Sequence, residues 1–69
     1  MKPVSGKELC RVLERHGWAL ARIKGAHHIY KRSGAPRPVP VPVHGNKTLK
    51  AGTQAGIMRE AGLTDEDLS

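Results

Sequence analysis

The stretch RPVPVPV, residues 37–43, decides the fold, because proline and valine alternate along it. In a β-strand, residues of one parity direct their N–H and C=O groups to the same edge of the strand. The prolines share a parity, so one edge has no donors, whereas the valines can pair at the other edge and place their side chains on one face. The pattern therefore predicts an edge strand. An isolated polyproline-like segment is the alternative, while a proline-rich linker would not place valine at every second position.

The segments before this strand predict a helix followed by a hairpin. Ser5 and Glu8 match a capping box, in which each side chain bonds the backbone N–H of the other residue, and apolar residues follow at helical spacing. A helix is therefore predicted over about residues 5–16, ended by Gly17. Two short strands are predicted next, over residues 18–23 and 27–32, with a turn at residues 24–26.

A second helix is predicted after the proline-rich strand, over about residues 49–61, with Gly62 just past its end. A further capping-box match at residues 64–67 predicts one final turn. The predicted buried stripe of the second helix consists of Leu49, Thr53, Ile57 and Ala61, together with Gly56.

The predicted fold class is α+β, with the order α-β-β-β-α and a three-stranded antiparallel sheet. Both helices must cover the same face of the sheet, because each has one apolar stripe and only the sheet can bury it. The other face of the sheet is left without a cover. A chain of 69 residues with no repeat and no linker predicts one domain, residues 1–69, near the lower size limit for a core without disulfides or metals.

Charge is the strongest feature of the composition. Twelve lysines and arginines against six acids give a net charge of +6, and the pI is about 10.1. Residues 15–59 carry lysine and arginine but no acid. A polyanionic partner is therefore expected, and nucleic acid is favoured over a merely solubilising basic surface. A membrane surface ranks lower, because no segment predicts an amphipathic helix with bulky aromatic residues.

The cellular compartment is indicated by what the sequence lacks. One cysteine, Cys10, cannot form an internal disulfide, which fits a reducing compartment. No apolar segment follows the basic start, and none approaches the length of a membrane span, so neither signal peptide nor anchor is expected. The expectation is a cytoplasmic protein.

Strand alternation separates the two neighbouring histidines, His27 and His28. Taking Ile29 as the core residue of its strand places His27 towards the helices and His28 on the uncovered face. Tyr30 and Arg32 then share that face with His28. An imidazole, a phenol and a guanidinium on a basic surface can exchange a proton, contact a base and hold a phosphate.

RNA is a substrate that such a surface can cut without a metal ion. Its 2′-hydroxyl already lies beside the phosphorus that it attacks, so a base for the proton and a cation for the charge suffice. A positioned general base or acid contributes about 10²- to 10⁴-fold. His28 is the candidate for this role, and a surface or core histidine without chemistry is the ordinary alternative.

A second basic cluster is predicted at the start of the second helix. Helix N-termini attract phosphate, and Lys47 and Lys50 strengthen that attraction. Thr48 or Asn46 is expected to cap the helix. His44 is either a second proton-transfer group or a loop residue, and the loop residue is favoured.

Metal and thiol chemistry are not expected. Adjacent histidines of a strand point to opposite faces, and no pair of cysteine or histidine residues has zinc-ligand spacing. Cys10 lies beside an apolar stripe and is expected to pack rather than react, and Trp18 is expected in the core.

Nearly the whole chain, in order and spacing, resembles the HicA (YcfA-like) toxin family. The matching segments are GW at 17–18, KGAHHIY at 24–30, VPVH at 41–44, LKAGT at 49–53 and IMREAGL at 57–63. The resemblance implies a fold like that of double-stranded-RNA-binding domains. It also implies a metal-independent ribonuclease that cleaves messenger RNA, and a HicB-like antitoxin as the partner that neutralises it.

The resemblance also implies which residues act. The family's catalytic histidine lies in a Gly-Ser-x-His pattern that opens the second strand, and here the pattern falls on GAHH, residues 25–28. His28 therefore takes the catalytic role, while Ala26 stands in place of the serine. The residues expected to contact RNA are Lys24, Arg32, Lys47 and Lys50 at phosphates and Tyr30 at a base.

Two other functions remain open at this point. One is a non-catalytic binder of double-stranded RNA, with the first helix, the turn at 24–26 and the start of the second helix straddling two minor grooves. The other is a basic adaptor that engages only an acidic protein, which leaves His28 unexplained.

Overall fold

The structure is a computed structural model that describes residues 1–68. Its helices and strands are α1 (Gly6–Arg15), β1 (Ala19–Lys24), β2 (His27–Lys31), β3 (Val39–Pro42) and α2 (Ala51–Ala61), followed by a 3₁₀ turn at Asp65–Leu68. The strands form one antiparallel sheet in the order β1-β2-β3. The predicted order α-β-β-β-α is therefore confirmed.

The proline-rich segment is an edge strand, as its alternation predicts. β3 pairs with β2 alone, with Val39 opposite Tyr30 and Val41 opposite His28. The N–H of Val43 donates to the carbonyl of Ala26 at 2.7 Å and extends the pairing beyond the strand. The other edge of β3 has no neighbour in the sheet, and there the prolines have no N–H to leave unpaired.

Both helices cover the face of the sheet that carries the buried valines. Leu9 and Leu13 of α1 are fully buried, and Ile57 of α2 is 7% exposed. They form one core with Val39 and Val41. The opposite face has no helix against it, which leaves its side chains open to water, as predicted.

The predicted orientation of β2 is wrong. Tyr30 is 1% exposed and lies in the core, whereas Ile29 is only half-buried and lies on the uncovered face. The register with β3 is the physical reason: Tyr30 and His28 lie opposite the two buried valines and must share their face. His28 is therefore on the helix side of the sheet, and His27 is on the uncovered side.

The start of α1 follows the sequence closely, because its cap is complete. The N–H of Glu8 donates to Oγ of Ser5 at 3.1 Å, and the N–H of Ser5 donates to a carboxylate oxygen of Glu8 at 2.9 Å. This second bond lowers the pKa of the Glu8 carboxyl, because it favours the charged form. Gly17 after the helix adopts the left-handed conformation, with φ of 88°.

The start of α2 differs from the prediction. The helix begins at Ala51 after Lys50, and no side chain caps it. Thr48, one of the two expected caps, instead forms a β-bridge with Ser5. The buried stripe is also different, because Gln54 is fully buried whereas Thr53 is exposed.

Gln54 ties the N-terminal segment to α2. Its amide oxygen accepts from the N–H of Val4 at 3.1 Å, and its amide nitrogen donates to the carbonyl of Lys2 at 2.6 Å. A buried amide is stable here because both of its ends have partners. Within residues 1–68, no helix is long and apolar enough to cross a membrane.

Candidate active-site cleft

A cleft of about 310 Å³ lies between α1 and the adjoining strands β1 and β2. Its walls include the charged residues Lys7, Arg11 and Glu14 of α1, and His28 and Tyr30 of β2. Leu20 of β1 and Val43 after β3 supply apolar surface. This is the concave place to which the structure brings the candidate catalytic histidine.

His28 is half-buried on the helix side of the sheet. It lies opposite the fully buried Val41 on one neighbouring strand and opposite the exposed Ile23 on the other. The exposed side chains of Lys7 and Arg11 share its cleft. An imidazole in a cleft that two cations also line can transfer a proton next to an anion.

Lys7 and Arg11 are not among the site residues predicted from the sequence. They are four residues apart and so lie on one face of the helix. The signal that could have found them is the capping box, because it fixes where α1 begins and hence which face meets the sheet. The sequence did not show on which side of the sheet the side chain of His28 lies.

The floor of the cleft is a buried tyrosine with a charged partner. The hydroxyl of Tyr30 donates to a carboxylate oxygen of Glu14 at 2.6 Å. Burial and this carboxylate both raise the pKa of the Tyr30 hydroxyl well above its ordinary value. Because its ring is in the core, Tyr30 does not present a face on which a base can stack. Its predicted contact with a base stays a prediction.

Cys10 lies beside Tyr30 in the same floor and is 6% exposed. Burial raises the pKa of its thiol, so the protonated and poorly nucleophilic form is favoured. The expectation that Cys10 packs in the core is confirmed.

The start of α1 is held tightly against the end of β3. A Cβ atom added to Gly6 would lie 2.0 Å from the carbonyl oxygen of Pro42, so only glycine fits there. This contact places Lys7 near the end of the sheet where β1 and β2 turn. Gly25, with φ of 59°, and Ala26 form that turn directly after Lys24, the last residue of β1, and His28 is one residue inside β2 from its start.

A second cavity, of about 360 Å³, lies at the same end of the sheet, where β3 passes into α2. His44, Lys47 and Lys50 contribute positive or titratable groups to its walls, and Thr48 and Thr53 contribute hydroxyls. All five residues are exposed. The cavity therefore has the chemistry of an anion site, and the structure places His44 in a loop, as expected.

Arg32 lies at the opposite end of β2, away from this basic region. Its guanidinium is 4.7 Å from the centre of the Trp18 ring and donates to the carbonyl of His16 at 3.5 Å. These contacts lie on the helix side, because Trp18 is a core residue, as predicted. The expected place of Arg32 beside His28 on the uncovered face is therefore wrong, and Arg32 anchors the end of α1 instead.

The described part of the chain, residues 1–68, holds no group of three or more His, Cys, Asp or Glu residues placed to bind a metal ion.

The fold and the cleft define a small, basic α+β protein in which Lys7 and Arg11 line the cleft that holds a half-buried histidine. The family model described as "HicA toxin of bacterial toxin-antitoxin" matches residues 6–63, which is most of the chain. The protein therefore belongs to the HicA toxin family, and an antitoxin is the partner that this family implies. No curated protein matches the chain at a significant level.

Proposed function

We propose that the protein is a metal-independent endoribonuclease toxin that cleaves messenger RNA in the cytoplasm and is neutralised by a HicB-like antitoxin. The observation that carries the proposal is the position of His28, half-buried in a cleft that Lys7 and Arg11 also line. Membership of the HicA toxin family supports the toxin class, and the resemblance at residues 25–28 points to the same histidine.

The proposed reaction is a transfer of phosphate within the RNA strand. The 2′-oxygen attacks the adjacent phosphorus while the bond from phosphorus to the 5′-oxygen breaks, which gives a 2′,3′-cyclic phosphate and a 5′-hydroxyl. His28 acts as general base or acid: it takes the proton from the 2′-hydroxyl or gives one to the leaving 5′-oxygen. Lys7 and Arg11 stabilise the charge that develops on the phosphate oxygens, because they face the same cleft.

The remaining contacts in this proposal position the strand. Lys24 is the last residue of β1, beside the hairpin turn, and Lys47 and Lys50 line the cavity at the same end of the sheet. They are proposed to hold flanking phosphates, since phosphate contacts fix orientation without reading sequence. The salt slope of RNA binding is the steepness with which the logarithm of the binding constant falls with the logarithm of the salt concentration. The change Lys50→Ala is expected to lower this slope by about one.

The experiment uses purified protein with EDTA, a single-stranded RNA and a DNA of matching sequence. Cleavage of the RNA alone, with a 2′,3′-cyclic phosphate on the upstream product, is the expected result. The variant His28→Ala should lose cleavage and keep its fold and most of its RNA affinity. The matched control is His16→Ala, because that imidazole lies just past the other end of α1, 3.4 Å from Asp67.

The competing function is a non-catalytic binder of double-stranded RNA, and Ala26 favours it, because the family pattern has a serine there. A binder of this kind would retain duplex RNA at physiological salt and leave it uncut. Restoring the hydroxyl with Ala26→Ser provides the discriminating variant: it should raise cleavage in an enzyme and change nothing in a binder.

A further inference from the structure

The uncovered face of the sheet, called the open face from here on, is a basic surface distinct from the cleft. Its side chains follow from the strand register, since Arg22 lies opposite Ile29, Lys24 opposite His27, and Ala19 opposite Lys31. The members of the open face that can carry positive charge are Arg22, Lys24, His27 and Lys31, and all are exposed. His28 and its cleft lie on the other side of the same sheet.

The strands and turns of the sheet carry no acidic side chain that could offset this charge. The six acidic residues of the chain are Glu8 and Glu14 in α1, Glu60 in α2, and Asp65, Glu66 and Asp67 in the C-terminal turn. The sheet and the turns that join its strands contain none. The acidic side chains therefore belong to other parts of the chain, and the electrostatic potential of the open face is positive.

The composition of the open face favours a polyanion over a folded protein as its occupant. Protein interfaces need a desolvated apolar centre, and charged residues are depleted there. The exposed large aliphatic residues of the sheet, Leu20 and Ile23, lie opposite Tyr30 and His28 and so face the helix side. The open face offers only the half-buried Ile29 beside proline, surrounded by cations.

The open face is also within reach of an RNA strand held in the cleft. His28 is on the middle strand, so only β1 separates it from the edge of the sheet, and neighbouring strands are about 5 Å apart. All six residues of β1 are exposed, so nothing covers the path over that edge. Along a strand, cations two residues apart are about 6.7 Å apart, a step comparable to that between successive phosphates of an extended RNA strand.

We infer that the open face is a second RNA-binding surface, which holds the sugar–phosphate backbone of the strand as it leaves the cleft over the edge of β1. Arg22 and Lys31 are its defining contacts, and Lys24, the last residue of β1, lies on the same face beside the hairpin turn. The inference rests on the proposed function in one respect, that RNA is the ligand of this protein. It does not depend on whether the protein cuts that RNA.

The test measures binding to RNA that cannot be cut. The probe is a fluorescently labelled, single-stranded 2′-O-methyl RNA of about 20 nucleotides, long enough to occupy both surfaces, titrated with the full chain by anisotropy at several salt concentrations. The open-face variant is Arg22→Gln with Lys31→Gln. The control variant is Arg15→Gln with Arg59→Gln, which removes the same charge from the exposed surfaces of the two helices.

The expected result is a change in the salt slope for the open-face variant alone. Each phosphate contact of a single strand contributes about 0.7 to the slope, so losing two lowers it by about 1.4. The affinity advantage of the wild type then shrinks about sevenfold between roughly 50 and 200 mM salt. The control should keep the slope of the wild type within about 0.5.

Equal slopes for the two double variants would overturn the inference, because only net charge would then matter. Displacement of the RNA by polyglutamate at equal charge concentration would overturn it too, in favour of an acidic protein segment. RNA binding that depends on the open-face cations supports the inference whether or not the unmodified RNA is cut, so a failure of the proposed function is recognised separately.

Discussion

Truncating the two neighbouring residues Tyr30 and Ile29 tests which face of β2 lies in the core. Tyr30 is 1% exposed, and removing a buried aromatic side chain to alanine costs about 3–5 kcal/mol. A domain of this size is stable by only about 3–10 kcal/mol, so Tyr30→Ala is expected to lose most of its stability or all of it. Ile29 is half-buried on the open face, and Ile29→Ala is expected to cost about 1 kcal/mol.

Urea unfolding followed by the fluorescence of Trp18 provides the assay, because it is the only tryptophan of the chain and is 3% exposed. If Tyr30→Ala does not fold, Tyr30→Phe gives a measurable second value. That variant keeps the ring and loses the bond to the exposed Glu14, at a cost of about 1 kcal/mol. A larger loss for Ile29→Ala than for Tyr30→Ala would refute the orientation of β2.

Several further measurements test the local structure. Ser5→Ala removes the α1 cap and is expected to cost about 1 kcal/mol by urea unfolding. Because the cap lowers the pKa of Glu8, the contribution of this carboxylate to the free energy of unfolding is present above the ordinary pKa of 4.5 and is lost as the pH falls through the lower pKa of the folded state. The free energy of unfolding of Glu8→Gln should therefore fall less steeply with decreasing pH than that of the wild type. Identical slopes for the two proteins would reject the bond. Gly62→Ala should cost about 1 kcal/mol or more, since Gly62 has φ of 70°, whereas Gly52→Ala in open helical surroundings should stabilise by about 0.5–1 kcal/mol. In amide exchange, the N–H of Val41 should be protected by β2, and fast exchange there would contradict the pairing.

The element order could be predicted from the sequence because local chemistry determines it. The alternation at residues 37–43 leaves the chain only one edge at which to pair, and the capping box of Ser5 and Glu8 fixes the start of α1. Each of these features acts over a few residues and needs no knowledge of the partner strand. The start of α2 lacked such a feature, and the predicted helix began two residues too early.

The face of β2 could not be predicted, because it depends on register between strands. Because isoleucine is more hydrophobic than tyrosine, Ile29 was favoured over Tyr30 as the core residue. A shift of one residue in the alternation moves every side chain of a strand to the other face. The structure shows that Tyr30 satisfies its hydroxyl through Glu14 and can therefore be buried. The candidate site changed accordingly, since His28 shares a cleft with residues of α1 instead of lying on the open face.

The most direct test of the proposed mechanism is the single-turnover rate of RNA cleavage by His28→Ala relative to His16→Ala, measured with EDTA present. His28→Ala should cleave at least about 10²-fold more slowly than the wild type, because only the imidazole in the cleft meets the 2′-hydroxyl. His16→Ala should cleave at the rate of the wild type. Equal rates for the two variants, with both folded, would contradict the proposed mechanism.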